Sequence, residues 1–100
     1  MATKKLEVEV YSEIVNSPVI RLPYRNYPGV LIQGDSLALL WIKAKKTLET
    51  LERLLPNPEE NSEDEEALET ARELFDSLDG YDTIYRRTLG MPDPPRVKSR

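Results

Sequence analysis

The sequence predicts a small α+β domain in which a three-stranded antiparallel sheet is followed by an antiparallel helix pair, the two layers packed as a sandwich. Three observations predict it. Leu6, Val8 and Val10 alternate with Glu7, Glu9 and Tyr11, the two-residue period of a strand with one solvated face. Further along, apolar residues recur at three- and four-residue steps in two consecutive runs, the signature of two helices that each bury one face. Finally, 100 residues supply one hydrophobic core, and two apolar helix stripes have to be covered by each other and by one sheet face.

The first strand spans about 6–13. Asn16-Ser17-Pro18 is turn chemistry, and the β-rich run that follows gives a second strand at about 18–22, paired antiparallel with the first. Pro23 ends it, because proline has no amide hydrogen for the ladder. Residues 23–27 form a loop closed by Pro28-Gly29, where proline presets φ and glycine accepts the positive φ of a type II turn. Val30-Leu31-Ile32 reads as a third strand at about 29–33, apolar on both faces and therefore central.

Gly34-Asp35 stops that strand, and Asp35 is placed to cap a helix over about 36–55 whose buried stripe is Leu37, Leu40, Trp41, Ala44, Leu48, Leu51 and Leu55. Pro56-Asn57-Pro58 ends it. Ser62 with Glu65 three residues later forms a capping box for a helix over about 63–79, with Ala67, Leu68, Ala71, Leu74, Phe75 and Leu78 as its stripe and Gly80 as its left-handed C-cap. A short third helix follows at about 82–89, closed by Gly90. Residues 1–90 thus form a single domain, and 91–100 form a disordered basic tail carrying Arg96, Lys98 and Arg100 after a proline cluster.

Composition narrows the function classes. The chain has no cysteine and no histidine, which removes disulfide frameworks, thiolate nucleophiles, Cys/His zinc sites and imidazole-based catalysis. The longest apolar run, Leu37 to Ile42, is far shorter than the roughly 20 residues that span a bilayer, and the N-terminus enters the Glu/Val alternation with no apolar signal core. A cytoplasmic location is the expectation. The net charge of −4 is unevenly spread: residues 56–82 hold eleven Asp/Glu against the single Arg72. Cations in the folded part are scattered, which disfavours nucleic-acid binding.

The densest collection of special residues is Arg21-Leu-Pro-Tyr-Arg-Asn-Tyr-Pro-Gly-Val-Leu-Ile-Gln-Gly-Asp-Ser-Leu37. In this run the sequence resembles an uncharacterised bacterial domain family of unknown function, whose members carry similar Arg-Leu-Pro, Pro-Gly-Val-Leu and Gln-Gly-Asp-Ser segments. The resemblance covers roughly the first half of the chain. It implies a bacterial origin and a shared fold, and it carries no activity, substrate or catalytic residue with it.

On their own chemistry these residues point to binding. Tyr and Arg dominate interface hot spots, so Arg21, Tyr24, Arg25 and Tyr27 are candidate contacts for a protein partner; the alternative is that both rings fold back over the core. Gln33, Asp35 and Ser36, at the junction of third strand and first helix, are the candidate ligand-binding or enzymatic residues, although the Asp35 carboxylate would repel an anion from the helix N-terminus. The acidic surface of the second helix offers a further reading, that of an immunity- or antitoxin-like protein that steers itself onto a basic partner. The carboxylates of 59–66 lack the alternating ligands and glycine turn of a calcium loop, so no metal and no cofactor is expected. The leading expectation is a non-enzymatic protein-interaction module, homodimeric through the open sheet's face or edges.

Overall fold

The structure, a computed structural model, describes residues 3–12 and 17–92. Its element order is β1 (Glu9–Val10), β2 (Val19–Arg21), β3 (Gly29–Val30), α1 (Gly34–Leu54), a 3-10 turn at Pro58–Glu60 and α2 (Ser62–Leu89). The protein is α+β, with a three-stranded antiparallel sheet and two helices. The chain divides into two compact units, Met1–Ser36 and Leu37–Arg100, each described by itself below.

In the first unit the sheet order is β1-β2-β3, so β2 is central and β3 is an edge. This corrects the central place expected for the third strand. Its side chains explain the error: Val30, Leu31 and Ile32 are all exposed, and an unbroken apolar run marks a strand buried on both faces only when something covers both. The strands are also shorter than the alternation suggested, two or three residues each. The pairing is extended by Tyr11 N–H to Val19 C=O at 2.8 Å and Leu31 N–H to Pro18 C=O at 2.9 Å. The Ser12 hydroxyl also accepts from the Val19 amide at 2.9 Å. Asn16 and the last residue of the expected first strand, Glu13, lie outside the described residues.

The tight turn falls elsewhere than expected. Gly29 does not have a positive φ; it sits in β3 opposite Ile20. The turn is Leu22-Pro23-Tyr24-Arg25, closed by Arg25 N–H donating to Leu22 C=O at 3.2 Å, with Tyr24 at φ 68°. Proline at the second position and positive φ at the third are the geometry of a type II turn, here with tyrosine where glycine would be unstrained.

The second unit is built on the two helices, which run antiparallel: Trp41 meets Phe75 and Asp79, while Glu52, farther along α1, meets Arg72. Trp41 is buried, as the stripe predicts. Its ring lies 5.7 Å from that of Phe75 at 49°, and its indole N–H donates to Asp79 Oδ1 at 2.8 Å. Among the described residues, Leu37, Ala44 and Leu68 complete the fully buried apolar set. Leu40, Ala67 and Leu74, placed on the buried stripes by spacing, are exposed, because each helix closes on a narrower seam than its apolar residues cover.

Three helix-end expectations are corrected. α1 begins at Gly34, so Asp35 is its second residue, and the Asp35 carboxylate accepts from the adjacent Ser36 amide at 2.8 Å. α2 is capped by Asn61, whose side chain accepts from Glu63 N at 2.9 Å and Asp64 N at 3.3 Å; Ser62 is already helical, and asparagine in extended conformation is at least as good a cap. Gly80 lies inside α2, which runs unbroken through the expected third helix to a left-handed Gly90. There Gly90 N–H bonds Arg87 C=O and Met91 N–H bonds Arg86 C=O at 2.7 Å, a Schellman motif. A mid-helix glycine costs about 1 kcal/mol; the helix carries it into a turn where Asp82, 3% exposed, pairs with Arg86 Nε at 2.9 Å. Asp82 follows Leu78 by four and Phe75 by seven, so it continues the buried stripe in polar form. Arg96, Lys98 and Arg100 of the expected tail lie outside the described residues.

Candidate functional site

The Tyr/Arg turn is held by one side chain. Arg21, in the central strand, forms an ion pair with Glu9 of β1, donates from Nε to the Tyr11 hydroxyl at 3.3 Å, and donates from Nη1 to the Arg25 backbone carbonyl at 2.9 Å. The register explains the first contact, since Glu9 stands directly opposite Arg21 and opposite charges attract across a pair. The last contact ties the turn back to the strand that enters it. Arg21 therefore braces the turn, with its guanidinium committed to partners inside the unit.

Tyr24 and Tyr27 are displayed. Tyr24 is 101% exposed and Tyr27 85%, so neither ring covers a core. Arg25 is exposed between them. A tyrosine held at positive φ carries a backbone cost of about 1–3 kcal/mol, a kind of strain that collects at functional positions.

Beside the turn the sheet has a notch. Val10, Ile20 and Gly29 stand in one row across the three strands, on one face. Gly29 contributes no side chain, and no atom lies within 4 Å of where a Cβ would stand. The resulting groove, about 230 Å³, is lined by Ile20, Leu22, Arg25, Tyr27, Gly29, Val30 and Leu31. It is an apolar trough with one cation and one ring in its lining.

The other candidate residues are arranged differently. Gln33 and Asp35 are exposed and Ser36 is half-buried, and the only polar contact among them is the local Asp35–Ser36 bond. On α2, Glu63, Glu65, Glu66, Glu69 and Glu73 are all exposed, a solvated acidic face. Among the described residues no group of three or more acidic side chains is placed to hold a metal ion, and no helix is long and apolar enough to cross a membrane. Sequence reasoning missed Glu9 and Tyr11, the partners of Arg21; the signal was present, since both belong to the solvated face of the first strand's alternation.

The sequence model of a family of unknown function, DUF6959, matches residues 3–95, and the chain belongs to that family. No curated protein and no solved structure matches it.

Proposed function

We propose that the chain is a non-enzymatic, cytoplasmic protein-interaction module that makes contact through Tyr24, Arg25 and Tyr27, with Arg21 as the brace that positions them. One observation carries the reading: a fully exposed tyrosine occupies the positive-φ position of a type II turn. Stability alone favours glycine there, so the ring is kept for something other than folding. Tyrosine gives large contact area at small cost in side-chain entropy, which is why it recurs in recognition surfaces. The notch at Gly29 lies next to Tyr27 and Arg25 and offers an apolar receptor beside the polar contacts.

The test is affinity capture from native cells with wild type and Tyr24→Gly, followed by mass spectrometry. Tyr24→Gly relieves the backbone and should raise stability by about 1 kcal/mol, read as a higher Tm, while partner capture is lost. A variant that captures the same proteins as wild type would sink the proposal, and misfolding cannot excuse that result. Two other readings have their own signatures. Capture that survives Tyr24→Gly and collapses with added salt points to the acidic face of α2. A saturable rise in Tm with a nucleotide, sugar phosphate or metal points to a ligand at Gln33, Asp35 and Ser36.

A further inference from the structure

Each helix of the second unit carries a second apolar stripe that its hairpin partner leaves uncovered. On α1, Leu40, Thr47 and Leu54 stand at seven-residue steps. On α2, Leu74, Tyr81 and Tyr85 are exposed, Tyr81 seven residues after Leu74 and Tyr85 four further on. Leu54 is 59% exposed, Leu74 55% and Tyr81 59%. Seven-residue steps repeat one position of a knobs-into-holes seam; on α1 the series has a threonine at its middle, with Lys43 beside it three residues after Leu40.

Both stripes lie on one side of the hairpin. The Glu52–Arg72 ion pair joins α1 to α2 and marks one side. Leu54 and Leu74 each stand two residues beyond a member of that pair, which is about 200° around the helix, so both face the opposite side.

A helix in a four-helix bundle has two apolar seams because it touches two neighbours. α1 and α2 each have two, and each spends one on the other. The described residues contain two α-helices, so the missing pair has to come from elsewhere. We infer that the second seams close on a second copy of this chain, giving a four-helix bundle with two-fold symmetry in which α1 of one copy lies along α2 of the other.

Charge selects that arrangement. Lys43 and Lys46 flank the α1 stripe, Glu66 and Glu73 flank the α2 stripe, and all four are exposed. Laying α1 on the other copy's α2 sets lysine edges against glutamate edges on both sides of the symmetry axis; laying α1 on α1 sets lysine against lysine. The area is sufficient. The 21 residues of α1 give an overlap of about 30 Å, and two helices side by side are about 20 Å wide. The product is on the order of 600 Å² per copy, the lower end of stable interfaces, for which a micromolar dissociation constant is expected.

Sedimentation equilibrium of the full chain tests the inference. Wild type should be a concentration-dependent dimer. Leu74→Asp should weaken it by at least about tenfold through a charge placed in an apolar seam, with the helical circular dichroism unchanged because Leu74 is exposed within its own chain. Lys43→Glu/Lys46→Glu and Glu66→Lys/Glu73→Lys should each be monomeric alone and form a one-to-one heterodimer when mixed. A wild type that stays monomeric at the highest soluble concentration overturns the inference. So does a dimer that ignores Leu74→Asp, since its contact then lies elsewhere, and so do charge variants that self-associate like wild type or fail to pair on mixing.

Discussion

The two units make opposite use of their residues. Every described side chain that is fully buried belongs to the second unit: Leu37, Trp41, Ala44, Leu68 and Asp82. The sheet of the first unit has strands of two or three residues, none of them fully buried. A sheet this small is marginal by itself, and its cohesion comes from register, a few added backbone bonds and the Arg21 brace. Stability and display are separated along the chain, with the interior assembled after residue 36 and the strained, ring-bearing turn placed before it.

The largest expected effect is at the centre of the helix pair. Trp41→Ala removes the ring packed on Phe75 and the hydrogen bond to Asp79, and should cost about 3–5 kcal/mol in a urea titration followed by circular dichroism. A loss below about 1 kcal/mol would show that the interior lies elsewhere. Next come two arginine–carboxylate pairs of the same chemistry in the two units. Arg86→Ala strands a buried carboxylate and should cost about 3 kcal/mol. Arg21→Ala breaks an exposed pair and should cost less than about 1 kcal/mol globally, its effect confined to faster amide exchange at Arg25 and in β1. Equal costs for the two would show that burial does not distinguish the units.

Much of the fold was legible, and the misses have physical causes. Period-two alternation and 3.6-residue stripes placed the strands and helices, because burial of one face imposes both periods. Helix ends were read less well. Gly80 has the chemistry of a C-cap, and only the continuation of the stripe through Asp82, with Arg86 four residues on, shows that the helix passes through it. Asn61 and Ser62 are adjacent competent caps, and the choice between them depends on where the 3-10 turn at Pro58–Glu60 delivers the chain. Pro28-Gly29 is a strong turn signal that the protein does not use as a turn. The actual turn has the favoured proline, Pro23, at its second position, but Tyr24 at its third is the residue that glycine would replace without strain, so the local signals conflict there and Pro28-Gly29 is the stronger of the two. The exposure of Tyr24 and Tyr27 was likewise not settled by sequence, since a loop tyrosine is equally able to lie on a core.

Arg86 does two jobs at once. Its Nε holds buried Asp82, and its Nη1 donates to the Pro92 carbonyl at 3.1 Å while its own carbonyl accepts from Met91. The path by which the backbone leaves α2 is thereby fastened to the interior instead of fraying from a helix end. Arg86→Ala would therefore remove two side-chain bonds at once, one to the interior and one to the Pro92 backbone, and leave Gly90 and Met91 held by their own backbone bonds.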